Sequence, residues 1–154
     1  MNINWKETYD VFASLPKEEL YLQGKQSSRI VLAFLESIDG VRNAALSLLS
    51  IVATFVKADR KIGENEYKLF IELTNIDETI ITYEVFRDIL DDFNSEDYEL
   101  VDQLIDSLHP DIKTQVIVLA LVFCSIDGKV TPAEQKMIEK LYPVDLRRLP
   151  ARIP

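Results

Sequence analysis

Val116 to Leu141 reads VIVLALVFCSIDGKVTPAEQKMIEKL, and Leu48 to Leu73 reads LLSIVATFVKADRKIGENEYKLFIEL. At a constant offset of 68, Phe55 matches Phe123, Asp59 matches Asp127, Lys61 matches Lys129, Ile62 matches Val130, Glu66 matches Glu134 and Leu73 matches Leu141. Each copy is an apolar run, an acidic turn, a Glu placed seven residues after the Asp, and an amphipathic segment. Self-similarity at a fixed offset marks a repeated supersecondary unit that hides its apolar face against its neighbour. The expectation is two buried helices side by side, each leading through an acidic corner into a second helix.

Composition narrows the class. The chain has 154 residues, enough to bury a sizeable core without a disulfide or structural metal. Hydrophobic residues make up 47%, with only 4 Gly and 6 Pro, which disfavours disorder and turn-rich β architecture. The reading is all-α. Cys124, the single cysteine, lies in an apolar run with no thiol partner, so no disulfide framework or Cys-based metal site is expected and a reducing compartment fits. The start, MNINWKETYD, has no basic segment leading into an apolar one, so no signal peptide is read and a cytoplasmic location is expected. The longest apolar run, Val116 to Cys124, falls short of the roughly 20 residues a spanning helix needs. A net charge of −9 disfavours nucleic acid, whose phosphates call for clustered Lys and Arg, and makes a basic or cationic partner easier to accommodate.

Helical spacing then divides the chain. Trp5, Tyr9 and Phe12 predict an amphipathic helix over Asn4 to Ser14, lying across the bundle like a lid and stopping before Pro16. Pro16 to Lys25 has poor periodicity and contains Gly24, so it reads as connection. Ser27 or Ser28 is the expected cap of a helix carrying Val31, Phe34, Leu35 and Ile38 and closing at Asp39-Gly40. The tetrapeptide SIDG recurs at 37–40 and 125–128, but no third repeat follows, because Leu46 stands seven residues beyond Asp39. Ala44 to Val56 interleaves small residues with large apolar ones and should be buried on most sides. Further helices are expected over Glu64 to Thr74, after a Thr79 or Thr82 cap, after a Ser95 cap, over Pro110 to Ile126 and over Pro132 to Leu141. This gives a single-domain bundle of seven or eight helices, with residues 1–25 as N-terminal helix and connection, 26–142 as the helical domain and 143–154 as a basic, proline-containing tail. Arg147, Arg148 and Arg152 give the tail a sign opposite to the rest of the chain, and docking back on an acidic face or reaching a partner are both open to it.

The acidic corners carry the chemistry. Thr131-Pro132-Ala133-Glu134 has Thr at the N-cap, Pro at the first helical position and Glu three residues beyond the cap. Gly63 and Glu66 repeat that pattern with Gly as cap. Asp127 falls at the C-terminal end of the preceding helix, where the dipole opposes an anion by up to about 1 kcal/mol, so turn amides or a cation must offset it. Three readings follow: carboxylates that only hydrogen-bond the corner backbone, a Ca²⁺ or Mg²⁺ site built from Asp59, Glu66, Asp127 and Glu134, or a metal-dependent hydrolase using the same groups. Two repeated carboxylates per turn fall short of the roughly six to eight oxygens Ca²⁺ takes. An EF-hand is excluded because Lys61 and Lys129 occupy its third ligand position. No nucleophile elbow, Gly-rich phosphate loop, CxxC or HExxH is present, and His109, before Pro110, reads as a helix cap; no catalytic residue is assigned.

A buried helix, then A-D-G-x-[IV]-x-x-x-E, then an amphipathic helix, twice in one chain, resembles the TerB family of tellurite-resistance proteins and the wider TerB-like domains. The motif reads ADRKIGENE at Ala58 to Glu66 and IDGKVTPAE at Ile126 to Glu134, the first copy having Arg60 in place of Gly and the second Ile126 in place of Ala. The likeness covers about residues 28–142. It implies an all-helical fold with internal pseudo-twofold symmetry and acidic residues of both turns on one surface. It further implies a role in tellurite or other chemical stress responses, suspected metal binding through Asp59, Glu66, Asp127 and Glu134, and partner proteins at the inner membrane face; with no catalytic residue assigned, the expectation is a non-enzymatic module that acts through binding.

Overall fold

Five of the described helices begin where a side chain catches the loose amides of the first turn. Asn4 Oδ1 accepts from Glu7 N at 3.0 Å and opens α1 (Trp5–Ser14), as the sequence predicts. Thr82 Oγ1 accepts from Val85 N to open α5 (Tyr83–Asp91). The other candidate, Thr79, instead donates its backbone N–H and its hydroxyl to Asp77 Oδ1 at 2.8 and 2.7 Å. Those bonds hold the Asp77 carboxyl below the usual carboxylate range, the backbone N–H contributing most. For α6 (Ser95–Ser107) the cap is Asn94, not Ser95. Asn94 Oδ1 accepts from Glu96 N and Asp97 N while Asp97 Oδ2 accepts from Asn94 N, a reciprocal capping box that a shorter serine one residue later does not make. His109 Nδ1 accepts from Asp111 N at 3.1 Å and caps α7 (Pro110–Ser125), the role its position suggests.

The remaining helices are α2 (Lys17–Asp39), α3 (Val41–Val56), α4 (Glu64–Thr74) and α8 (Pro132–Lys140). The computed structural model describes residues 4–56, 63–126 and 130–140, and among these the chain is eight helices without a strand, packed as one helical domain. None of the described helices is long and apolar enough to cross a membrane.

α7 forms the axis. Every residue from Val116 to Ser125 is buried, as its apolar circumference predicts. α3 lies against it with Leu48, Leu49, Ile51, Val52 and Ala53 at zero exposure. The Phe55 and Phe123 rings, equivalent at the offset of 68, meet with centroids 5.8 Å apart at a tilt of 49°. A second aromatic cluster joins α4 to α5, where Phe86 stands between Phe70 and Tyr67.

α2 departs from the sequence reading. Instead of connection over 16–25 and a helix capped near Ser27, one helix of 23 residues runs unbroken through Gly24. It packs on α3, α4 and α7, most extensively on α7. The reason is steric: a Cβ on Gly24 would lie 3.0 Å from Val122 Cγ1 and 3.1 Å from Leu73 Cδ2, so the bare backbone lets three helices close on one point. That burial outweighs the roughly 1 kcal/mol by which glycine disfavours a helix. Ser27 and Ser28, expected as caps, are mid-helix and buried; Ser27 Oγ donates to Gln115 Oε1 on α7 at 3.0 Å. α2 ends at Gly40, whose φ of 82° reverses the chain in one residue and lets α3 begin at Val41, three residues before the predicted start.

α1 lies against α7, consistent with the expected lid. Phe12 is fully buried, and the Tyr9 hydroxyl donates to Glu139 Oε2 at 2.7 Å and sits 3.4 Å from Gln135 O, tying α1 to α8. Burial first, then that hydrogen bond and the Glu139 charge, push the Tyr9 phenol well above its ordinary range.

Candidate functional site

Of the four carboxylates singled out by sequence, Glu66 and Glu134 belong to described helices, whereas Asp59 and Asp127 lie outside the described residues, as do Lys61 and Lys129. Glu134 stands in the first turn of α8 and is only 2% exposed. Its Oε1 accepts from Thr131 N at 2.9 Å while its own N–H donates to Thr131 Oγ1 at 3.2 Å, so the predicted capping box closes in both directions. The corner is reinforced by Gln135, whose Nε2 donates to Val130 O at 3.2 Å. Val130 is buried, plugging the core below.

Glu66 holds the matching place in α4 but in a more open setting. Gly63, the N-cap, has extended backbone at φ −156° and makes no side-chain cap. The Glu66 carboxylate leans back over it, with Oε2 3.4 Å from where a Cβ of residue 63 would sit. Both glutamates therefore face the N-terminal, partially positive end of their helices, where a carboxylate gains a few tenths to about 1 kcal/mol.

Chemically, these corners offer acceptor oxygens and no proton-transfer machinery on the described residues. Cys124 is 1% exposed within α7, a core thiol by its packing. His109 is an exposed cap at the far end of α7, with Asp111 Oδ2 3.6 Å away. Among the described residues no three His, Cys, Asp or Glu side chains gather closely enough to hold a metal ion.

Two features were not read from sequence. Ser28 and Ser125 each bury a hydroxyl oxygen with no hydrogen-bond partner among the described residues. Ser125 is the last residue of α7, two before Asp127. A serine inside a helix carries no spacing signal, so only packing shows that these two hydroxyls are buried. The other feature is a half-open groove of about 480 Å³ between α2 and the end of α4, where Lys25 and Arg29 face Glu36, Glu72 and Asn75 over Leu32. Its charges are mixed, and it lies apart from both glutamate-bearing corners.

The chain's class follows from this geometry: an all-α domain whose axial helix is buried from Val116 to Ser125, with a glutamate in the first turn of both α4 and α8. No family model, curated protein or solved structure matches it.

Proposed function

We propose that the protein is a non-enzymatic, TerB-like interaction module with internal pseudo-twofold symmetry, which binds a partner protein at the end of the bundle carrying the two acidic corners. The observation that carries this reading is the contact of Phe55 with Phe123. These rings stand one and two residues before the ends of α3 and α7, so the chain leaves both helices from neighbouring points toward residues 57–62 and 127–129. Two neighbouring exits support one shared surface at this end of the bundle, and the acidic residues that the sequence repeats there suit a basic or cation-bridged partner.

A divalent cation, Ca²⁺ or Mg²⁺, held by Asp59, Glu66, Asp127 and Glu134 is the second reading. The buried Ser125 hydroxyl favours it, being an oxygen near Asp127 in sequence for which no bond among the described residues accounts. Against it stands the use Glu134 already has as a backbone cap.

Two measurements separate these readings. Photo-crosslinking residues introduced at Asn65 and Lys136, both exposed in or near the first turns of α4 and α8, should capture the same protein in the native host, whereas one at Arg42, at the opposite end of α3, should not. Unrelated adducts from positions 65 and 136 would sink the shared surface. Amide NMR during Ca²⁺ or Mg²⁺ titration should move resonances only over 58–66 and 126–134 if the ion binds; a flat response at millimolar ion removes the cation and leaves the partner reading standing.

A further inference from the structure

The chain's negative charge is not spread evenly. Between Tyr83 and Ser107, nine acidic residues stand against one basic residue, Arg87, a formal −8 in a chain whose total is −9. The structure folds this stretch into α5 and α6 with their apolar sides inward: Phe86, Leu90, Val101 and Ile105 are buried. The outer faces are therefore predominantly acidic, interrupted by Arg87, Gln103 and the exposed Leu100. Where α5 and α6 meet α3, a groove of about 340 Å³ has Ile89 and Phe93 as apolar lining, with Asp88, Asp92 and Asp97 beside them. A concave, partly apolar channel edged by like charges concentrates its field and favours a flexible cationic segment with short apolar side chains.

We propose that this face is the docking surface for the chain's own residues 141–154. Three observations select that occupant. The segment carries Arg147, Arg148 and Arg152 against Asp145, a formal +2, interleaved with leucine, isoleucine and proline, complementary to the groove in charge and in apolar content. The described chain also stops beside the surface: Lys140, the last residue of α8, has Nζ 3.5 Å from Asp102 Oδ2 on α6. Distance is no obstacle. Asp97 lies five residues from Asp102, about 8 Å along the α6 axis. The seven residues from Lys140 to Arg147 extend to roughly 23 Å. The segment is thus long enough to bring its guanidinium groups to Asp97 and the groove it shares with Asp88 and Asp92, and its prolines lower the entropy lost on docking.

In this arrangement the basic segment offsets part of the negative charge of α5 and α6 and competes for that face with any basic partner. The inference does not rest on the TerB-like reading, because it uses neither acidic corner, and its test uses a different readout.

The test is paramagnetic relaxation in the full-length chain carrying Ala151→Cys with a nitroxide, Cys124 being too buried to label. Amides over Asp88–Asp97 should broaden. The broadening should vanish at about 0.5 M salt, where exposed charges are screened within a few ångströms. It should also vanish in the chain that additionally carries Asp88→Asn and Asp92→Asn. Broadening on another face, or none above the spin-label background, overturns the proposal. If it arises only when spin-labelled chain is mixed with isotope-labelled, nitroxide-free chain, the segment docks on a second copy and the intramolecular assignment is overturned.

Discussion

α4 and α8 open on matched residues but are fastened differently. In α8 the Thr131 hydroxyl and the Glu134 carboxylate exchange hydrogen bonds with each other's backbone, and Glu134 is almost wholly buried. In α4 the cap is a glycine without a side chain, and Glu66 is only half buried. The surroundings differ too: α1 reaches α8 through Tyr9, and the three residues of this contact have no counterpart at α4 among the hydrogen bonds of the described residues. The comparison teaches that helical register fixes where a first-turn carboxylate goes, whereas burial and bonding depend on the cap residue and on which neighbour covers the corner.

The sharpest way to break the comparison is at the aromatic contact shared by both copies. Phe55→Ala and Phe123→Ala should each cost about 3–5 kcal/mol in chemical denaturation, since both rings are fully packed and neither void can collapse without moving the other ring. Similar losses are expected; a negligible effect from one of them would show that the two helices are not held through this pair. Gly24→Val comes next, because Gly24 touches Leu73 of one copy and Val122 of the other. Overpacking should lower stability by about 1–3 kcal/mol, visible as a reduced denaturation midpoint, despite the better helix former.

Thr131→Ala should cost about 1 kcal/mol by removing the α8 cap. Glu134→Gln should lose less, because an amide oxygen can still accept from Thr131 N. If the glutamine variant proves the worse of the two, the carboxylate has a role beyond capping. Tyr9→Phe should lower stability near neutral pH by about 1 kcal/mol through the lost bond to Glu139. Its pH signature has a definite sign. The folded phenol is pushed up, so its contribution is intact below the unfolded value of about 10 and is lost as pH rises from there through the folded value. Burial pushes Tyr67 and Tyr98 the same way, so the difference between wild type and Tyr9→Phe, followed from pH 8 upward by urea denaturation, isolates Tyr9. The smallest change is a gain. Gly63→Thr gives α4 the cap that α8 has, at a backbone angle any residue adopts, and should raise stability by about 0.5 kcal/mol.

Much of this architecture was legible from spacing. The stripes at Phe86, Ile89 and Leu90, the runs of α3 and α7, the stop at Gly40 and the His109-Pro110 start all state a period or a cap that acts within one turn. The helical class and a count of seven or eight helices follow from such signals. α2 was misread because Gly24 and the flanking polar residues look like a break at short range, and only Val122 and Leu73, distant in sequence, make that glycine a contact. The choice of Asn94 over Ser95 turned on geometry that composition does not rank. At the candidate site the Thr131–Glu134 box was fully foreseeable, while the unsatisfied Ser125 was not.

The sequence by itself determined which stretches coil, where most of them start and stop, and which side of each turns inward, because these depend on hydrogen bonds and periodicities spanning a few residues. Tertiary structure alone decided that α2 threads past α7 and α4 through a bare glycine, that Phe55 meets Phe123, and that Lys140 at the end of α8 comes beside Asp102 of α6. Those are contacts between residues tens of positions apart, and their energies come from shape and charge meeting in space, which no local pattern encodes.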